Sequence, residues 1–319
     1  MARPFVALSG AWMPVSVLQY LARGFEPWAD VLRVGTWPRE GSWLPWGPEG
    51  HLGEGYTVAA PYRTQRPHVL VDENGDVTVT PGDPTWERAR SDGVDAWFDV
   101  DGGWAWTAGL PVQCAYRGLV VTDPHCEGWR AAEHADLRGR VDVVWQMQSG
   151  PWLRDGDLVL NYAYDAGWHR SVPVATSHDV TILGQPYAER EHLAARLRDA
   201  GLRVLGPGVV GVGEEYAAAL CRAPVAVVWP LAADLPARYF EALACGRAVV
   251  VRRVEDLQRV LPAESDRVGV NVVDDLDHAV ENVVLCHGTL ALEAAIDPAA
   301  LALQVAGHSW ADRARSLLL

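Results

Sequence analysis

From residue 179 onward the sequence alternates, at short and regular intervals, between runs that fit a buried strand and runs that fit a helix. Asp179-Val-Thr-Ile-Leu183 reads as a buried strand closed by Gly184. Ala188 to Ala200 has helical apolar spacing, with Leu193 and Leu197 four apart, and is stopped by Gly201. Leu202 to Leu205 reads as a strand, Glu214 to Arg222 as a short helix and Pro224 to Trp229 as a buried strand. Pro236 to Cys245 follows as a helix with proline in its first turn and Gly246 just behind its end. Ala248 to Val251 and Val254 to Val260 repeat the pair. Strands that return only after an intervening helix must run parallel. A parallel sheet is then covered by helices on both faces, so the alternation predicts an α/β fold.

The preceding half is irregular. Phe5 to Leu8 fits a strand, Ser9-Gly10 opens a loop, and Val15 to Arg23 fits a helix ended by Gly24. Residues 36–67 are rich in Trp, Pro and Gly and read as a long loop region. Val69 to Val71 and Val77 to Val79 flank Asn74-Gly75, a hairpin signal. Ala96 to Val100, Gln113 to Tyr116, Leu119 to Val121 and Val141 to Gln146 supply further strands. A boundary near 170–177 divides the chain into 1–172 and 173–319, with the terminal helix a candidate to pack back on the first part.

Composition narrows the function classes. The formal charge of -14 disfavours a general nucleic-acid binder, which needs a basic surface. All 27 basic residues are arginine, leaving it the only permanent side-chain cation available for an anionic ligand. The five cysteines are odd in number, scattered and without CxxC spacing. They read as free thiols of a reducing cytoplasm, not as a disulfide framework or a zinc site. No stretch approaches the ~20 apolar residues of a membrane span.

In an open α/β sheet, ligands bind at the carboxyl ends of the strands. Two stretches there carry chemistry. In Leu235-Pro-Ala-Arg-Tyr-Phe-Glu-Ala-Leu-Ala-Cys-Gly246 a helix begins after a strand, with Arg238 and Glu241 on one face. A helix N-terminus attracts anions, and arginine adds a bidentate phosphate contact. An ionised Glu241 can accept from two ribose hydroxyls. The plain alternative is an exposed ion pair. Thr122-Asp-Pro-His125 follows a strand in the first half. Asp123 and His125 could bind hydroxyls there, or His125 could act as a base; a structural turn is the alternative. Asp99-Val-Asp101 invites a metal-binding reading, but a strand end followed by a glycine turn explains it as well. Thirteen of the 15 tryptophans precede residue 170. Trp43 and Trp46 are candidates for an acceptor platform, since sugar and base faces stack on indole.

The stretch from Pro236 to Gly246 resembles the nucleotide-binding signature of GT-B glycosyltransferases, in particular the spore-maturation CgeB-like branch of the group 1 type. Thr122-Asp-Pro-His125, Val143 to Gln148 and Leu160 to Asp165 with His169 resemble that branch's first lobe. Val180 to Gly184 with Glu189-Arg190 is similar to the opening of its second lobe, and His308 to Leu318 to its terminal helix. The similarity spans roughly residues 95 to 319; residues 25–90 match nothing recognisable. The resemblance implies two Rossmann-like lobes with parallel sheets facing a central cleft. It implies a nucleotide-sugar donor, UDP-sugar favoured, as co-substrate, with no cofactor and no metal. Gly184, Arg190 and Arg238 would face the diphosphate and Glu241 the ribose. Beside the resemblance, the residues' own chemistry makes Gly10, Trp43 and Trp46 candidates for the acceptor and Asp123 and His125 for the chemistry. The acceptor is left as a small molecule, glycan, protein or modified DNA. The rivals are a viral-type DNA glycosyltransferase acting on hydroxymethylated bases and a non-catalytic binder of the same fold. Many retaining relatives carry a second glutamate eight residues before the one matched by Glu241. Ala233 stands there in this chain, with Asp234 beside it.

Overall fold

The computed structural model describes residues 3–12, 16–37, 67–72, 76–101, 110–122, 131–208, 213–232, 234–261, 268–292 and 297–318. The chain divides into two compact units. One holds the described residues up to Asn161 together with the stretch from Trp310; the other runs from Tyr162 to Ser309.

The first unit is built on eight strands: β1 (Phe5–Ala11), β2 (Asp30–Thr36), β3 (Val69–Val71), β4 (Val77–Val79), β5 (Val94–Val100), β6 (Cys114–Val121), β7 (Val143–Gln146) and β8 (Leu158–Val159). Their order is β4-β3-β2-β1-β5-β6-β7-β8, parallel throughout except for the β3–β4 hairpin. β1 does not stop at Ser9. Gly10 pairs with Gly35 on one side and Val100 on the other, so the ladder of a central strand carries β1 on to Ala11. The two predicted strands are one: β6 runs from Cys114 to Val121, paired along β5 up to Val120.

Among the described residues, four helices belong to this unit: α1 (Val17–Phe25), α2 (Pro84–Asp92), α3 (Ala131–Arg138) and α10 (Trp310–Ser316). α1 starts at Ser16, whose hydroxyl accepts from the Gln19 N–H. Gly24 is not its cap but lies inside it. A Cβ there would stand 2.4 Å from the Trp310 carbonyl oxygen, so glycine is required by the close approach of α10. Trp310 stacks on Tyr20 with centroids 5.5 Å apart.

The second unit has five strands, β9 (Val180–Thr181), β10 (Val204–Leu205), β11 (Val225–Val228), β12 (Ala248–Arg252) and β13 (Val270–Val273). They form an all-parallel sheet in the order β10-β9-β11-β12-β13. Its helices are α4 (Ala188–Asp199), α5 (Glu214–Cys221), α6 (Ala237–Ala244), α7 (Leu257–Val260), α8 (Leu276–Leu292) and α9 (Pro298–Leu303). Alternate strand residues serve opposite faces. Val225, Val227 and Val250 pack with Leu193, Leu197, Ala279 and Val283 from α4 and α8. Ala226, Val228, Val249 and Val251 pack with Leu220, Phe240, Leu243 and Leu301 from α5, α6 and α9. Strands sealed on both sides in this way read as near-continuous apolar runs. The unit is therefore the α/β arrangement that the alternating sequence requires. Among the described residues no helix is long and apolar enough to cross a membrane.

Candidate nucleotide-sugar site

β9 is the first strand of the second sheet and sits between β10 and β11. The chain winds to one side of β9 and then reverses to the other. The connections leaving β9 and β11 therefore diverge, and this is where an open α/β sheet forms its ligand crevice. The residues just beyond those two carboxyl ends are Ile182 to Gln185 and Trp229.

Gly184 has φ 111° and its N–H donates to the Gly208 carbonyl at 3.0 Å. A Cβ on Gly184 would lie 2.6 Å from Nη1 of Arg238 and 3.1 Å from Nη1 of Arg190. Both guanidinium groups thus converge on this glycine. Arg190, in the first turn of α4, is only 2% exposed. Its Nε donates to the Trp229 carbonyl at 2.7 Å and its Nη1 to that of Gln185 at 3.0 Å. These bonds pin Arg190 across the ends of β9 and β11. Burial, and then the neighbouring Arg238 charge, pull its pKa down to about 10. Two cations held together in a low-dielectric pocket favour an anion between them.

The helix ends add to the same field. α4 begins after β9 and α6 after β11. Their N-cap residues, Tyr187 and Pro236, make no side-chain cap hydrogen bond. First-turn N–H groups left in this way are anion donors.

Glu241 lies one turn beyond Arg238 on α6 and is 6% exposed. An exposed Arg–Glu pair therefore does not describe it. Its Oε1 is 3.7 Å from Nε2 of His169. It also faces the enclosed hydroxyl of Tyr216, whose pKa is pushed far up by burial first and then by the Glu241 charge. The rings of His169 and Tyr216 meet edge to face at 6.0 Å. Motif reading did not assign roles to His169 and Tyr216, because their contact with Glu241 joins segments distant in sequence. At the far edge of the crevice Glu189 accepts from Trp229 Nε1 at 2.8 Å and pairs with Arg252 at 3.3 Å.

Asp123, His125, Trp43, Trp46 and Ala233 lie outside the described residues. Gly10 belongs to the first unit, inside β1. Asp99 is fully buried and accepts from Ser9 Oγ at 3.2 Å; Asp101 accepts from the Thr122 N–H at 2.7 Å and from its hydroxyl. These two carboxylates close a strand end, as the plainer reading holds. Among the described residues no cluster of His, Cys, Asp and Glu could hold a metal ion. Arg88 pairs with Asp30 at 2.6 Å and Arg90 with Glu87 at 3.4 Å. A hollow of about 400 Å³ in the first unit is lined by Arg3, Asp30, Arg33 and Arg88. It opens at the amino ends of β1 and β2, whereas α/β sheets bind ligands at the carboxyl ends.

Residues 169–319 match the family described as glycosyl transferase-like. Among solved structures, the chain is similar to Anabaena Alr3699/HepE in complex with UDP (TM-score 0.60, 10% identity, 99% of this chain and 98% of that one). The same Anabaena protein was also solved with UDP-glucose. The glycosyltransferase from Rickettsia africae ESF-5 aligns over 100% of this chain and 97% of its own, with TM-score 0.58 and 8% identity. The N-terminal domain of Candida albicans trehalose-6-phosphate phosphatase aligns over 100% and 96%, with TM-score 0.56 and 9% identity. No curated protein matches the chain in sequence. The chain thus carries a glycosyl transferase-like sequence over residues 169–319 and shares its fold with these solved structures.

Proposed function

We propose that the protein moves a sugar from a nucleoside-diphosphate sugar, UDP-sugar favoured, to an acceptor hydroxyl without a metal. The observation that carries this reading is the convergence of Arg190 and Arg238 on Gly184 at the switch point of the second sheet. The Anabaena protein of the same fold was crystallised with UDP and with UDP-glucose, which favours uridine here.

In the reaction the bond from the sugar's anomeric carbon to the diphosphate oxygen breaks, and the acceptor oxygen bonds to that carbon. Charge grows on the leaving diphosphate. Two fixed guanidinium groups and two helix N-termini stabilise it without reorganisation. Gly184 leaves the space in which the phosphates approach those groups. Glu241 accepts from the ribose hydroxyls and sets the register of the donor. His125, with Asp123, takes the proton of the acceptor hydroxyl. Gly10, Trp43 and Trp46 belong to the acceptor.

Thermal-shift titration with UDP, TDP, GDP and ADP and their sugars tests the donor assignment. UDP should raise the melting temperature; Arg238→Ala should abolish the shift and Glu241→Ala should reduce it. If no nucleotide stabilises the wild type, or both variants respond as it does, the assignment is wrong. Donor binding with neither transfer nor donor hydrolysis would point instead to a non-catalytic sugar-nucleotide binder, a reading that Ala233 favours.

A further inference from the structure

We propose that His169 is the positioning residue for Glu241: its Nε2–H orients the carboxylate toward the ribose hydroxyls, with the Tyr216 hydroxyl on the same group. The inference rests on the reading of Glu241 as the ribose acceptor and assigns the residues that make that reading work.

The tautomer follows from the hydrogen bonds. Nδ1 of His169 accepts the backbone N–H of Asp165 at 2.9 Å, so in the neutral ring the proton sits on Nε2. Nε2 is the atom that faces Glu241, at 3.7 Å from Oε1. A shift of about 0.5 Å brings that pair within hydrogen-bond length.

The ring itself is held. The His169 N–H donates to the Asp165 carbonyl at 2.8 Å, and Asp165 Oδ1 accepts from Gly167 N–H at 2.8 Å, so residues 165–169 form a closed turn. The His169 side chain is wholly buried. Trp168, beside it, packs under Gly213 at the start of α5, which ties the turn to the helix that carries Tyr216.

A buried glutamate needs such a device. The last torsion of its side chain is broad and roughly two-fold, so the helix alone does not fix the plane of the carboxylate. An ionised carboxylate offers about four acceptor sites, of which a ribose diol occupies about two. The others need donors from the protein, because a buried charge without them is costly. Among the described residues, His169 Nε2–H and the Tyr216 hydroxyl face the group. Burial beside Glu241 keeps the Tyr216 hydroxyl protonated and able to donate.

The test compares binding of UDP, 2′-deoxy-UDP and 3′-deoxy-UDP by calorimetry on the full chain. Two substitutions separate positioning from folding. His169→Asn keeps an acceptor at the place of Nδ1 for the Asp165 N–H but loses the donor aimed at Glu241. His169→Gln keeps a donor near the place of Nε2. Wild type should prefer UDP over the deoxy ligands by about tenfold or more, the loss expected when a carboxylate forfeits a hydroxyl donor. In His169→Asn that preference should fall at least about fivefold, while affinity for the deoxy ligands stays within about twofold; His169→Gln should restore most of it.

Equal losses for all three ligands in His169→Asn would mark a merely structural residue and overturn the proposal, as would wild-type discrimination in that variant. Glu241→Ala separates the two layers. If it removes the ribose preference while His169→Asn keeps it, only the role of His169 fails. If wild type does not bind UDP, or Glu241→Ala still discriminates, the ribose reading fails and the positioning role with it.

Discussion

At Gly184 a single hydrogen decides whether two arginines can meet. A methyl group there would lie 2.6 Å from Arg238 and 3.1 Å from Arg190, at a φ that L side chains rarely adopt. Gly184→Ala should therefore weaken UDP binding by about tenfold or more and cost about 1 kcal/mol or more of stability, read by calorimetry and denaturant titration. His68 gives a prediction in pH. Burial, and next the Arg33 charge, hold its pKa down at about 4, against an ordinary 6.5. The unfolded chain takes up the proton first, so stability should fall as pH drops from about 6.5 to about 4. The loss is on the order of 2 kcal/mol for a group that keeps some solvent contact. Urea titrations at pH 7 and 4.5 should show a smaller acid loss in His68→Gln; an identical loss would remove His68 as a cause. These side chains differ in how far the sequence reveals them. Arg238 and Glu241 are legible because a helix start after a strand fixes both by local geometry. His169 and Tyr216 come together only when the chain folds back on itself, and no spacing rule spans that distance.

Elements show the same divide between local and long-range causes. α4, α5 and α6 are legible because each carries helical apolar spacing or a proline–glycine frame. α2 carried signals just as plain: Asp83 accepts from the N–H groups of Thr85 and Trp86, both at 2.9 Å, ahead of Pro84. Asp83→Ala should cost about 1 kcal/mol of unfolding free energy, with nucleotide binding unchanged. β2 was hidden for a different reason. Arg33 breaks its apolar run, yet its backbone is satisfied from outside the ladder, the N–H donating to Nδ1 of His68 at 3.0 Å. A polar residue in a central strand is tolerated there because a side chain from a distant segment completes its bonding. α8 opens on a signal of the same kind as α2, Asp275, whose Oδ1 accepts from the His278 N–H at 2.8 Å.

For the molecule as a whole, the alternation after residue 179 determines an α/β sheet with two covered faces, whereas the membership of the final helix is a tertiary fact. Trp310 to Ser316 completes the first unit although Tyr162 to Ser309 intervenes. Trp310→Ala should destabilise by about 3 kcal/mol or more, since a buried tryptophan loses its stack on Tyr20. Gly24→Val should cost at least as much, because its side chain meets the Trp310 backbone. Calorimetry should place both losses in the transition of the first unit, leaving UDP-dependent stabilisation of the second in place. A shift confined to the second transition would contradict that division.

The embrace of Trp310 by Tyr20 and Gly24 also sets the order in which the chain can finish folding during synthesis. β1 and α1 leave the ribosome before the second unit, but the partner that seals them follows only after it. The second unit, wholly encoded between them, has all its strands available earlier. The unit begun first is thus the one completed last, and until then its Trp310 slot stays open to whatever apolar surface it meets.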